Sequence, residues 1–165
     1  MKSLMKLLLR AAPILSLCAA AQAVVVRPAP NFGLEGVRKD TSLRSFRGQS
    51  VVLVITHSTR DKEFRKELAM LKEMYPQFAA EKVIFVAAVE YGPADVPSNI
   101  PFVNAANPAQ VAADYGVNGR FGIAVIGVDG NLDLITTRVI FAARVRDAVF
   151  NNFESQQAAR KQPNS

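Results

Sequence analysis

A small set of residues in this 165-residue chain is placed to do chemistry: His57, Ser58, Thr59 and Arg60 in one run, Arg120 and Phe121 in another. His57 is the only histidine. An imidazole titrates near neutral pH, so it could serve as an acid, a base or a single metal ligand. One histidine without cysteine partners is a poor metal site even with carboxylate help, so no metal is assigned. Ser58 and Thr59 stand just before a helical pattern, and one of them is the expected N-cap. Free N–H groups at that helix start, the helix dipole and Arg60 could together hold a carboxylate or phosphate. Arg120 lies in Gly119-Arg120-Phe121-Gly122 and could join His57 and Arg60 in one polar patch. Phe121, between that arginine and a glycine, reads equally as an exposed contact or as core. Plain alternatives stand beside each: a loop histidine, ordinary capping with a solvated arginine, an exposed loop arginine. The candidate binding set is His57, Ser58, Thr59, Arg60, Arg120 and Phe121, and no catalytic residue is assigned. Asp61 and Glu63 lie two apart, so they do not face each other as a catalytic pair, and the helix dipole accounts for them. The sequence has no Gly-rich phosphate loop, no H-E-x-x-H and no G-x-S-x-G, and no cofactor is implied.

The elements that must carry these residues are legible from periodicity. Val51-Val52-Leu53-Val54-Ile55-Thr56 is a continuous run of mostly β-branched residues and suits a strand buried on both faces. From Asp61 the pattern turns helical. Phe64, Leu68, Leu71, Tyr75 and Phe78 share one face, while Lys62, Arg65, Lys66, Glu67, Lys72 and Glu73 fill the other. Pro76 is expected to kink or end this helix near Tyr75. Residues 82–89 form a second buried strand, and strand, helix, strand at these lengths is a βαβ unit with parallel strands. Residues 90–101 hold Gly92, Pro93, Pro97 and Pro101 and read as a loop. Asn107-Pro108 starts a short helix, with Asn as cap and Pro in the first turn, that stops at Gly116. Residues 122–128 are a third strand, Asp129-Gly130 a tight turn, and residues 131–138 an antiparallel fourth. A last amphipathic helix spans residues 141–156, with Phe141, Val145, Val149 and Phe153 as its core stripe, and residues 157–165 form a polar, flexible tail.

The first 23 residues have a different character. Lys2 and Lys6 give a basic start, an apolar run follows over residues 7–21, and Ala21-Gln22-Ala23 has the small-x-small form of a signal-peptidase site. This is the layout of a secretory signal. The run, broken by Arg10 and Pro13, is too short for a good membrane span. The remaining chain divides into an extended lead-in, residues 24–50, and one domain, residues 51–156. The expected location is outside the cytoplasm, in the periplasm of a bacterial envelope or secreted. The net charge of +6 falls by three when Lys2, Lys6 and Arg10 leave with the signal. The remaining basic residues alternate with acids, which argues against a nucleic-acid partner. Cysteine usage is the most restrictive feature. Cys18 is the only cysteine, and it lies within the signal. A chain beginning at Val24 has no thiol for a disulfide, a Cys-ligated metal or a thiolate nucleophile. Leu15-Ser16-Leu17-Cys18 distantly resembles a lipoprotein motif, but Leu17 is bulky where that motif wants a small residue, which argues against a lipid anchor at Cys18.

The order β-α-β-α-β-β-α gives an α/β fold: a four-stranded mixed sheet flanked by helices, the thioredoxin-like architecture. Four segments in the right order resemble the thioredoxin-like superfamily, on the side of the peroxiredoxins and thiol:disulfide oxidoreductases. They are Ala29-Pro30-Asn31-Phe32-Gly33-Leu34; the segment from Ser42-Leu43 through Gly48 into Val51-Val52-Leu53-Val54; Lys82-Val83-Ile84-Phe85-Val86-Ala87-Ala88-Val89; and Tyr115-Gly116-Val117 leading to Val128-Asp129-Gly130. The resemblance covers residues 29–150. It implies a redox-active C-x-x-C near Arg60 and Glu63, or one residue later at Asp61 and Phe64, and no cysteine stands there. A peroxiredoxin would place a Thr and a peroxidatic Cys in the same region; Thr56 and Thr59 are present without the Cys. The proline that thioredoxins carry before the next core strand aligns with Phe121. The chain is thus similar to cysteine-free thioredoxin-like domains, and both halves of the family's redox site are missing.

The functional expectation is a non-catalytic binding or scaffold module that meets a protein partner or a small anionic ligand. The turn at His57 to Arg60 and the loop at Arg120 form its contact surface, because loops at strand ends carry function on such scaffolds. The alternatives are an enzyme with non-thiol chemistry at His57, Arg60 and Arg120, and a redox accessory that contacts thiol oxidoreductases.

Overall fold

The computed structural model describes residues 27–36, 41–93 and 95–151. The expected signal, Cys18, Phe153 and the tail lie outside the described residues. In chain order come a 3-10 turn (Leu43–Phe46), β1 (Val51–Thr56), α1 (Lys62–Ala80), β2 (Ile84–Val89), β3 (Phe102–Asn104), α2 (Pro108–Asp114), β4 (Phe121–Ile126), β5 (Leu132–Thr136) and α3 (Ala142–Phe150). The sheet has five strands in the order β3-β2-β1-β4-β5. β1 pairs in parallel with β2, Val51 opposite Ile84 and Thr56 opposite Val89. On its other side β1 pairs antiparallel with β4, Thr56 opposite Phe121 and Val51 opposite Ile126.

The fifth strand corrects the expected four. Phe102-Val103-Asn104 pairs in parallel with Phe85-Val86-Ala87 at the sheet edge. Three residues are too few to show a strand period, and the proline at 101 masked the run. Its pairing is nevertheless anchored, because the Phe102 ring meets Phe85 edge-on at 5.8 Å.

Alternation along β1 splits the core. Val51, Leu53 and Ile55 face α2 and the lead-in, packing with Phe32, Leu34, Leu43, Val111 and Tyr115. Val52 and Val54 face α1 and α3, packing with Phe64, Leu71, Phe78, Val145 and Val149. The lead-in is built into the sheet: Ala29 N–H donates to the Gly130 carbonyl and Leu132 N–H to the Arg27 carbonyl. The Tyr115 hydroxyl donates to the Pro30 carbonyl at 3.0 Å. Burial, with Asp114 adding to it, pushes that hydroxyl's pKa up, so it stays a donor.

Three side-chain expectations on the helices change. α1 continues through Pro76 to Ala80. Pro76 removes one N–H from the ladder, but Phe78, fully buried against Phe85, holds the last turn on the sheet. Phe141 leaves the α3 stripe and is 81% exposed. It is the N-cap, in an extended conformation, so its side chain departs from the helical row followed by Ala142, Val145 and Val149. Glu67 does not sit on the solvent face: its exposure is 0%. It falls one turn after Phe64 and one turn before Leu71, on the buried face.

Glu67 Oε2 accepts the Ile140 N–H at 2.9 Å, whereas Oε1 has no partner among the described residues. Burial raises its pKa from 4.5 to about 7, against the smaller opposing effect of the Ile140 N–H. A carboxyl held protonated in the folded state, but free to ionise when unfolded, loses stability as pH rises. The contribution is full below pH 4.5 and is lost through about pH 7. Its size is on the order of 3 kcal/mol. Glu67→Gln keeps an oxygen for Ile140 and removes the titration. Urea denaturation of both proteins at acid and mildly alkaline pH should show the wild type losing stability with pH more steeply than the variant. Equal slopes would mean that Glu67 ionises without cost.

Candidate functional site

The carboxyl ends of the parallel strands β1 and β2 lie side by side, the place where open α/β sheets present ligands. The chain leaves β1 into a turn that is tied down before α1 begins. Asp61 N–H donates to the Ser58 carbonyl at 3.0 Å and closes a four-residue turn. The Asp61 Oδ2 accepts the Ser58 N–H at 3.2 Å and lies 3.3 Å from the Thr56 hydroxyl. That hydroxyl also reaches the Ser58 carbonyl, at 3.0 Å. Ser58 Oγ accepts the Arg60 N–H at 3.2 Å.

The N-cap of α1 is therefore Asp61, not Ser58 or Thr59. The Ser58 hydroxyl is used inside the turn, which delays the helix by three residues. Asp61 turns its carboxylate back onto the turn and makes no side-chain cap bond to the helix. The positions where the resemblance would place cysteines hold an exposed Arg60, this engaged Asp61, an exposed Glu63 and a Phe64 buried in the core.

The backbone brings His57 and Arg120 together. His57 N–H donates to the Arg120 carbonyl at 3.0 Å, as the β1–β4 pairing is extended by one residue. Gly122 lets Val117 pack directly on β4, since a Cβ there would meet Val117 Cγ2 at 2.6 Å. The Arg60 and Arg120 side chains are exposed and form no ion pair among the described residues. Phe121 is core: its side chain is buried with Phe64 and Ile123, which corrects its reading as a contact residue. It belongs to β4 opposite Thr56, and that strand face points at α1.

Two residues outside the sequence-derived set complete the site. Glu90 and Tyr91 follow β2 directly, with Glu90 N–H donating to the Thr56 carbonyl and Tyr91 N–H to the His57 carbonyl. Glu90 Oε2 lies 3.5 Å from His57 Nε2, and its side chain is only 12% exposed. The Tyr91 ring, largely exposed, stands edge-on to the imidazole at 5.7 Å. Both follow a strand at the same sheet end as His57, and that position was the signal available in the sequence. Reading residues 90–101 as one undifferentiated loop hid it.

The arrangement gives a half-buried imidazole against a carboxylate and an aromatic ring, while Arg120 lines a separate concavity with Glu63 and Thr137. Among the described residues no group of three or more His, Cys, Asp or Glu side chains could hold a metal ion. The Asp61 bonds are what shape the turn. Asp61→Ala should cost about 1–2 kcal/mol in stability. It should also speed amide exchange at Ser58 while leaving exchange at Val86 unchanged, as read by hydrogen–deuterium exchange with a parallel urea titration. Unchanged protection at Ser58 would show that the turn closes without the carboxylate.

No family model matches this chain, and no curated protein matches it in sequence. Solved structures do match in fold. A protein from Chlorobium tepidum assigned as the thiol:disulfide interchange protein DsbE aligns with a TM-score of 0.58 at 21% identity, over 81% of this chain and 95% of its own. The reduced 2-Cys peroxiredoxin of Plasmodium vivax aligns at 0.56 with 15% identity, over 82% of this chain and 97% of its own. The thioredoxin domain of a thiol-disulfide oxidoreductase from Bacteroides vulgatus aligns at 0.56 with 18% identity, over 78% and 94%. At these identities the likeness concerns the fold, and the one cysteine of this chain, Cys18, precedes the turn in sequence by about forty residues and lies outside the described residues. The chain has the thioredoxin-like fold, with a five-stranded sheet.

Proposed function

We propose that this chain is an exported thioredoxin-fold module that binds a partner at the carboxyl end of its sheet and does no thiol chemistry there. The observation that carries the reading is Asp61. At the turn where the fold's thiol enzymes carry their cysteine, a carboxylate accepts the Ser58 N–H, and the Thr56 hydroxyl lies within reach of that carboxylate and of the Ser58 carbonyl. Those donors are engaged internally instead of activating a nucleophile. The surface around them offers His57, an exposed Tyr91 and the free charges of Arg60 and Arg120. Tyrosine and arginine are the side chains that most often anchor interfaces. The partner is a protein, or a small anion held by the arginines. Export rests on the signal-like first 23 residues, and the periplasm is the expected compartment.

A second reading is favoured by the His57–Glu90 pair. A carboxylate 3.5 Å from Nε2 can orient an imidazole as a general base. A third, an accessory that contacts thiol oxidoreductases, draws only on the enzymes that share the fold.

The deciding experiment compares tagged wild-type protein with a His57→Ala/Arg60→Ala/Tyr91→Ala/Arg120→Ala variant in crosslinking pull-downs from its own host. A partner held by the first and lost by the second supports the module. Equal capture moves binding to another surface, and no partner at all removes the reading. The purified protein should also turn over neither peroxide nor disulfide. Hydrolysis of an ester or phosphoester that falls by about 100-fold or more in His57→Ala would instead establish the general-base reading.

A further inference from the structure

The other end of β1 carries a second concave site. Val51 opens β1 opposite Ile126, the last residue of β4. A cavity of about 80 Å³ lies there, under the turn that precedes β1 and beside the hairpin turn after β4. Its apolar wall includes Leu43, Phe46, Val51 and Ile126, and Arg44 and Arg47 line it from the exposed side.

The sequence Leu43-Arg44-Ser45-Phe46-Arg47 explains this division. In a 3-10 turn, residues three apart eclipse one another. Leu43 and Phe46 therefore go together toward the core, and Arg44 and Arg47 go together toward solvent. Gly130, with φ of +81°, forms the other lip; a Cβ there would lie 3.5 Å from the Arg47 Nε. The Arg47 guanidinium thus lies across the backbone of the hairpin turn.

These two charges are uncommitted. Neither arginine forms an ion pair among the described residues. Of the nearby hairpin acids, Asp129 is engaged with its own turn. Asp129 accepts the Asn131 N–H at 2.9 Å and its side-chain amide at 2.5 Å. The Asp133 carboxyl is raised to about 6 by burial and then by Asp129. A small apolar chamber with two free guanidinium groups is complementary to an anion bearing a short tail, since guanidinium binds carboxylate through paired N–H donors.

We propose that this cavity binds a short-chain aliphatic carboxylate, its tail against Leu43, Phe46, Val51 and Ile126 and its carboxylate on Arg44 and Arg47. Cavities of about 150 Å³ admit benzene, so about 80 Å³ suits a tail of about three to four carbons. The site lies across the sheet from His57 and is independent of what binds there.

The test is a nuclear magnetic resonance shift titration of the purified protein with acetate, butyrate, octanoate and 1-butanol at constant ionic strength. Butyrate should give saturable shifts at residues 43–49 and 126–130. It should bind about tenfold more tightly than acetate, which lacks two methylenes, and about tenfold more tightly than the uncharged alcohol. Octanoate should bind no better than butyrate. Arg44→Gln/Arg47→Gln, at two exposed positions, should weaken butyrate about tenfold or more and leave 1-butanol unchanged. The proposal is overturned by equal binding of butyrate and 1-butanol, by shifts confined to residues 57–60 and 120, or by no saturable shift at all. The alcohol comparison is made on the unaltered protein, so the answer does not depend on the variant folding.

Discussion

β1 is the constraint on which the rest of this structure hangs. All of its residues are essentially without exposed surface, and it is hydrogen-bonded on both edges, in parallel to β2 and antiparallel to β4. A strand buried on both faces needs a layer of helix on each side. α1 and α3 cover Val52 and Val54, while α2 and the lead-in cover Leu53 and Ile55. A shift of one residue in the β1 register would turn every side chain to the wrong layer. The same pairing decides what stands at each end of the strand. His57 meets Arg120 and Glu90 because Thr56 is opposite Phe121 and Val89; Arg44 and Arg47 sit over Ile126 because Val51 is opposite it.

The scaffold and the surface it presents are energetically separable. His57, Arg60, Tyr91 and Arg120 lie beyond the ends of the strands and contribute little to either core cluster. What the turn cannot lose is a partner for its own polar groups. The Ser58 N–H and the Thr56 hydroxyl sit in a partly buried corner, and a donor left unpaired there costs about 1–3 kcal/mol. Asp61 supplies the acceptor for the Ser58 N–H, and the Ser58 carbonyl is the nearer acceptor for the Thr56 hydroxyl.

Much of this was legible in the sequence, for physical reasons that differ by element. β1, α1, α2 and the β4–β5 hairpin announce themselves through a long apolar run, a helical stripe, Asn107-Pro108 and Asp129-Gly130. β3 was not legible: three residues after a proline carry no period, and only the register with Phe85 makes them a strand. His57 and Arg120 meet through their backbones, a contact set by strand pairing that residue types do not show. Phe121 was ambiguous because its neighbours are polar or glycine, and only the pairing with Thr56 sends its ring inward. Glu90 and Tyr91 went unrecognised because composition marks a loop without saying which of its residues lie at a strand end. Glu67 was misplaced because its charge outweighed its position, although its spacing from Phe64 and Leu71 put it on the buried face.

α1 shows how polar groups can fix what apolar packing leaves free. Its stripe of Phe64, Leu68, Leu71 and Phe78 holds it against the sheet, but dispersion and burial are non-directional and tolerate sliding. Two carboxylates on the helix remove that freedom. Asp61 binds the turn at the end of β1, and Glu67 reaches the Ile140 N–H just before α3. The first bond sets where the helix begins relative to the candidate site; the second sets how α1 lies against the segment leading into α3. The first group is satisfied in a half-exposed corner at little cost. The second has one oxygen bonded and one orphaned among the described residues, and burial raises its pKa to about 7. A well-packed apolar residue at position 67 would remove that cost, and it would also remove the directional contact that ties α1 to Ile140.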